Sequence, residues 1–398
     1  MQKNGFEPTM FVAAVLLSCS AATAQVATAE PGGGIAIEVL YKADVVAVVS
    51  GGLDRGVRLL GNAELMVDAD LERLAGWHGA RAKLHLLSVH GGVPNDLAGT
   101  VQGINNIEVA EDRTKLYEIW MEQSFLNERA ALQLGMVDLN ADFYQTDAAG
   151  LLIAPAFGIG SEIAATGPNG PSIFPSTALA ARLTIRPSKR TYLHTALFNA
   201  KAGVLGDRGG VDLAMRQGAL AIAEAGVTGG GKLALGMWRY TKRQSDIRTL
   251  GSDGEPVGRV AQGAYVLAEK RLVGTQDAAR LLSAFARIGL SDADTSPFRG
   301  GVQAGLHLAG VVAGRPDSQL SFGVNQAYLS RKHRASARDE GVALGRTETG
   351  FELTYSDRIL PFLTVQPDIQ YIVNPSGDRA IRNAVVAGVR FTISAATK

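Results

Sequence analysis

Hydrophobic and polar residues alternate along most of this chain. In AELMVDADLERL, Ala63, Leu65, Val67, Ala69 and Leu71 share one face of an extended segment. Glu64, Asp68, Asp70 and Glu72 share the other, with Met66 among them. In ARAKLHLL, Ala82, Leu84 and Leu86 alternate with Arg81, Lys83 and His85. In TALAARLTIRP, Leu179, Ala181, Leu183 and Ile185 alternate with Arg182, Thr184 and Arg186. Val385, Ala387, Val389, Phe391 and Ile393 alternate with Gly388, Arg390, Thr392 and Ser394. A period of two is the signature of a β-strand.

The connections suit hairpins. AGWHG (Ala75–Gly79) separates the first two segments, Asn127-Glu128 turns SFLNERAAL into the return strand AALQLGMV, and TGGGK precedes another alternating run. Short alternating segments joined by Gly-rich turns predict one continuous antiparallel sheet. No βαβ rhythm and no domain linker interrupts it. No apolar run reaches the 18 or so residues of a membrane-spanning helix.

The N-terminus reads as an export signal spanning residues 1–24. Lys3 is the positive region, Met10–Leu17 the apolar one, and Ala22-Thr23-Ala24 a small-residue cleavage site before Gln25. Residues 25–398 then form the mature domain. Cys19, the one cysteine, lies in that signal, which leaves no disulfide, thiolate metal site or cysteine nucleophile in the mature chain. With 39 Lys+Arg against 38 Asp+Glu, the net charge of +1 gives no electrostatic case for nucleic acid.

A secreted β-sandwich produces the same alternation. Export, many strands and fully charged polar faces tilt the reading toward a transmembrane barrel, although aromatics are sparse for two interfacial girdles. In a barrel, register follows from energy. A lipid-facing Arg or Lys at mid-bilayer costs about 2–4 kcal/mol, so Arg182 and Arg186 must face a watery lumen.

One stretch does not alternate. FGIGSEIAATGPNGPSIFP (Phe157–Pro175) holds four glycines, three prolines and one charge, Glu162. Proline at this density excludes a helix interior or central strand. It ends a connection of about forty residues, from VDLNADF to NGPSIFP, and loops of that length tend to be functional. The expectation is a loop folded into or against the barrel that narrows the channel, with Phe157, Gly158, Gly160, Asn169, Gly170, Pro171, Phe174 and Pro175 as its markers. Low charge suits packing on the inner wall without unpaired ions. A loop that only steadies the barrel is the alternative.

Several motifs in order carry a resemblance. GWHGARAKLHLLSVHGGVPNDLAGTVQGINNIE, LYEIWMEQSFLNERAALQLGMVDLNADF, FGIGSEIAATGPNGPSIFP, GKLALGMWRYT, FARIGLSDADTSPF and YSDRILPFLTVQPDIQYIVNPSG together resemble the carbohydrate-selective porins, the OprB family of Gram-negative outer membranes. The resemblance runs from about Gly52 to Phe391. It implies an antiparallel transmembrane β-barrel of sixteen strands passing mono- or oligosaccharides into the periplasm. Implied partners are those sugars, outer-membrane lipid and the barrel-assembly machinery; no cofactor or metal is implied, and the oligomeric state is left open. One departure is the C-terminus, where TISAATK follows Phe391 in place of a terminal aromatic.

The channel-lining candidates follow from the alternation. With a turn centred near Gly76–Trp77, Glu72 faces Arg81, Asp70 faces Lys83 and Asp68 faces His85. Such rows either form a polar track for hydroxyls or only pair across the sheet, at roughly 0.2–1 kcal/mol per pair. Glu118, Trp120 and Glu122 share the wet face of their strand, opposite Tyr117, Ile119 and Met121. Trp120 either stacks on a pyranose or sits in an interfacial girdle.

Catalytic motifs are absent. GVTGGGK is followed by Leu233 where a phosphate loop needs Ser or Thr, and no HExxH or G-x-S-x-G occurs. Besides a sugar-preferring channel, a general small-solute porin and a structural or adhesive barrel remain open.

Overall fold

The computed structural model describes residues 33–274 and 280–397. The expected signal, residues 1–24, lies outside the described residues. Along the chain run β1 (Ile35–Gly52), β2 (Gly56–Asp70), β3 (Ala80–Gly91), β4 (Arg113–Phe125), β5 (Ala130–Val137) and β6 (Ala178–Ser188). Next come β7 (Thr191–Asn199), β8 (Ala219–Thr228), β9 (Gly231–Tyr240), β10 (Gln244–Leu250), β11 (Pro256–Arg259) and β12 (Gln262–Val273). Last are β13 (Leu281–Ser291), β14 (Phe298–Ala309), β15 (Gln319–Leu329), β16 (Thr347–Leu360), β17 (Leu363–Val373) and β18 (Arg382–Ala396).

Sixteen of these strands, all but β10 and β11, form a closed antiparallel barrel. Each pairs with its neighbours in sequence, and β1 closes on β18 from Glu38↔Ala396 to Gly52↔Arg382. Closure leaves no strand edge with unpaired backbone groups, which hydrocarbon requires. No helix among the described residues is long and apolar enough to cross a membrane.

The distribution of side chains is inverted relative to a protein that folds in water. Leu59, Leu134, Leu197, Leu235, Met237, Ile288, Leu290, Phe322, Leu353 and Ile369 are exposed on the outside. Asp44, Glu118, Glu122, Arg182, Glu224, Arg287, Glu348, Glu352 and Arg390 are buried on the inside. In water the outer band would forgo about 25 cal/mol per Å² of apolar surface. Against lipid it costs nothing, and the charges keep partners and water within.

The strands turn tightly at one end, at 126–129, 189–190, 229–230 and 361–362. At the other end lie the long connections 92–112, 138–177, 200–218, 241–261 and 330–346, beside shorter ones at 53–55 and 292–297. Short periplasmic turns and long extracellular loops assign the two ends.

The first hairpin differs from expectation in register. Asp70 pairs with Arg81, Asp68 with Lys83 and Met66 with His85. The strand stops at Asp70, whose side chain caps a helical turn, Leu71–Ala75, that closes on Gly76 in the left-handed region. That turn uses residues expected to extend the strand. The slip is two residues, so the same side chains still face inward while each meets a different partner. Glu72 leaves the barrel wall; in the turn it accepts from His78 at 2.7 Å and from the Gly79 N–H at 3.0 Å.

Candidate channel and its constriction

Two extracellular loops, not one, fold into the lumen. The 138–177 connection leaves β5, crosses the barrel and is fastened to the far wall. Glu269 on β12 accepts from the Ala148 N–H at 2.8 Å. Glu352 on β16 accepts from the N–H groups of Ile153 and, at 2.9 Å, Ala154. Arg287 on β13 donates to the carbonyls of Tyr144 at 2.9 Å, of Gly158 at 3.0 Å and of Phe157. Phe157 is buried edge-on against Phe285, 6.2 Å between centroids, over Gly323, where a Cβ would lie 2.6 Å from its ring.

The single charge in the quoted stretch is among its most buried groups. The Glu162 carboxylate takes a 2.5 Å hydrogen bond from Tyr144 Oη. It nests against Gly289 and Gly301, where added Cβ atoms would lie 1.8 and 2.5 Å from its oxygens. Burial pushes its pKa up. The expectation of a loop packed on the inner wall without unpaired ions meets one buried carboxyl, which has Tyr144 Oη as its hydrogen-bond partner.

The second inward loop is 92–112. Glu348 accepts from the N–H groups of Val101 at 2.9 Å and Gln102 at 3.1 Å. Gln370 donates to the Ile104 carbonyl at 2.8 Å. Asn105 donates to Asp44 at 2.6 Å, and Asp44 is paired with Arg390 at 2.7 Å. Proline-rich 138–177 announces itself in the sequence; 92–112 does not, and its destination depends on acceptors from β1 and β16 and donors from β17 and β18.

Between these loops and strands β1–β4 lies a cavity of about 630 Å³. One side is ionic. Lys42 lies 2.9 Å from Glu64, His85 reaches Glu64 at 3.0 Å and Glu118 at 3.4 Å, and Lys83 lies 3.5 Å from Glu118. Signs therefore alternate from β1 to β4. The opposite side is the loops: Asn105, Asn106 and Glu108 from one, and Ile159, Ala165, Ile173, Phe174 and Pro175 from the other.

Of the residues singled out in the sequence, Lys83, Glu118, Gly158, Phe174 and Pro175 line this cavity. Glu122 is buried, paired with Arg81 and, at 2.6 Å, with Arg182, which also meets Asp142. Asp68 lies exposed and Asp70 half-buried on the inward face of β2, toward the periplasmic end. Arg186 is exposed at the end of β6. Trp120 faces inward but packs against the apolar cluster of Leu139, Phe143 and Ile163, under the inserted loop. Asn169 ties the loop to the next connection through both the N–H and carbonyl of Ala202, at 3.1 and 2.7 Å. Gly160 precedes the helical turn Ser161–Ala164, and Gly170 takes a positive φ of 89° beside Pro171.

Tyr117 is a correction. Strict alternation turns it toward lipid, yet it is buried inside, donating to Asp138 at 2.7 Å and meeting His85 edge-on at 5.1 Å. A bulge is the cause: His85 pairs with Glu118 but Leu86 with Leu116, so Tyr117 is the extra residue and joins Glu118 on the inner face.

Residues 54–394 match the family model for the carbohydrate-selective porin, OprB family. The chain belongs to that family. Over 399 aligned residues it is 22% identical to Porin B of Pseudomonas aeruginosa, covering 90% of this chain and 87% of that one. Its fold is similar to that of OprB of Pseudomonas putida at high pH, with TM-score 0.81 and 22% identity over 91% of this chain and 94% of that chain. The outer membrane channel DcaP of Acinetobacter baumannii shares the architecture more distantly, with TM-score 0.57 and 8% identity over 90% and 96% of the two chains. The protein is a sugar-selective outer-membrane channel, a class that carries no catalysis.

Within this porin the residues missed by sequence reasoning are Lys42, Glu64, Tyr117 and Asp138, together with the 92–112 loop. Glu64 and His85 already stood on polar faces. Lys42 and Asp138 had no signal short of the three-dimensional arrangement.

Proposed function

We propose that sugars diffuse toward the periplasm through the cavity bounded by β1–β4 and the two inward loops. The observation that carries this reading is its two-sided lining. The Lys42–Glu64–His85–Glu118–Lys83 row offers charge-assisted donors and acceptors to hydroxyls that shed water. Ile173, Phe174 and Pro175 face the apolar surface of a pyranose ring. Signs alternate within the row, so a neutral, hydroxylated solute loses less there than an ion would. Each contact is exchangeable, which lets the solute leave as well as bind.

Liposome swelling with sugars, amino acids and organic acids of matched size tests this. Faster swelling with sugars is expected; equal rates for all three classes replace sugar preference with general solute passage. We also propose that residues 1–24 are cleaved on export, that the outer apolar band meets outer-membrane lipid, and that the outward-facing Phe391 serves the assembly machinery in place of a terminal aromatic. Phe391→Ala should then lower assembled barrel in the membrane fraction, and unchanged levels would remove that role.

A further inference from the structure

Away from the channel, the extracellular rim holds an unneutralised basic trough. A cavity of about 500 Å³ is lined by Arg299, Arg331, Lys332, Arg334 and Arg346. A second, of about 410 Å³, shares Arg334 and Arg346 and adds Arg379. The acid in the first cavity, Asp294, is occupied by Lys332 at 2.6 Å. Among the described residues none of the five arginines has a carboxylate partner; Arg334 is half-buried and the other four are exposed. Five guanidinium groups gathered without counter-charge repel one another, in a chain whose net charge is only +1.

The trough rests on an anchored element. Its helix, Arg331–Asp339, is capped by Ser330 accepting from the His333 N–H at 3.1 Å. The helix is tied to β10 through Lys332 to Asp246 and through Arg248 to Asp339 at 2.6 Å. None of the six cations lines the channel cavity, so a solute in transit is not what they serve. Arg299 instead lies 5.3 Å over the ring of Tyr328. Tyr328 shares its strand face with Phe322, which is exposed on the outer surface of the barrel. An aromatic at that height with arginine over it marks the level of lipid headgroups.

We propose that this trough binds the phosphate groups of an amphiphile in the outer leaflet. Planar guanidinium forks match phosphate oxygens in bidentate geometry. The trough spans two adjoining cavities, which favours a headgroup carrying more than one negative charge.

Native mass spectrometry of the full barrel in neutral detergent tests the site, with three probes: phosphatidic acid, phosphatidylcholine and inorganic phosphate. Phosphatidic acid should bind, phosphatidylcholine should bind far more weakly, and inorganic phosphate should displace neither. Each cation at an anionic lipid surface is worth roughly fivefold in binding. Arg299→Gln, Arg331→Gln and Arg346→Gln together should therefore weaken phosphatidic acid on the order of a hundredfold, and Arg331→Gln alone by roughly fivefold. Sugar flux should be unchanged in both variants, which shows that the barrel is folded. Equal phosphatidic acid binding by the triple variant overturns the proposal, as does equal binding of phosphatidylcholine. Inorganic phosphate that competes at the same concentration assigns the trough to free anions and overturns the lipid as its ligand.

Discussion

The carboxylate of Glu352 on β16 accepts the backbone N–H of Ala154 at 2.9 Å, joining residues 198 positions apart across the lumen. It accepts from Ile153 as well, so one side chain holds the middle of the inward loop against the far wall. Glu352→Ala leaves two buried N–H groups unpaired, at about 1–3 kcal/mol each. The expected result is a folded barrel with lower thermal stability and larger, noisier single-channel conductance. An unchanged conductance trace would show that the loop holds its place without this anchor.

Removing Gly160–Pro171 takes away the helical turn, the buried Glu162 and the Asn169 tie to Ala202. Because Ser161, Ala164 and Ala165 border the cavity, single-channel conductance should rise. A properly folded deletion variant that conducts as before refutes a constricting role for the loop.

On the proposed path the ionic row is expected to set charge preference. Lys42→Gln with Lys83→Gln leaves Glu64 and Glu118 opposed only by His85. Reversal potentials in a salt gradient should move toward cation preference; Glu64→Gln with Glu118→Gln should move them the other way. No movement in either pair would place the ion path elsewhere.

Aromatic substitutions separate the sugar contact from packing. Phe174 borders the cavity, so Phe174→Ala should lower the swelling rate for sugars more than for amino acids of equal size. Trp120 is covered by the loop, so Trp120→Ala should cost stability, on the order of 2–3 kcal/mol for a partly buried ring, with sugar preference kept. The reverse pattern would restore Trp120 to the solute path.

Glu108, in the 92–112 loop, borders the cavity and accepts from the Asn95 N–H at 3.1 Å. Burial is the main cause that raises its pKa to about 7, with Asp96 adding to it. A raised carboxyl is neutral below that pH and charged above it, so the folded state loses stability relative to the unfolded chain as pH climbs from the ordinary carboxylate range through about 7. Cation preference should increase as pH passes through about 7 and the charge appears. Glu108→Gln should flatten that response in pH-resolved reversal potentials.

The face of each strand was legible because its cause is local. In β6, Arg182 and Thr184 turn inward while Leu183 turns out, as alternation requires. Pairing was less legible. The helical turn after Asp70 shortened β2 and moved every partner of Arg81 and Lys83 by two residues, at no cost to which face is wet. Tyr117 was misread because a one-residue bulge reverses parity, and nothing in LYEIW announces it.

Alternation, export pattern and motif order by themselves determined that this chain makes a barrel with ions inside and hydrocarbon outside. Solvent preference acts on each residue separately and therefore shows along the chain. Where the two inward loops lie was decided only by tertiary structure. Two loops meet wall carboxylates from β1, β12 and β16 that are remote from them in sequence, and a polar group buried in the lumen is stable only where such partners converge.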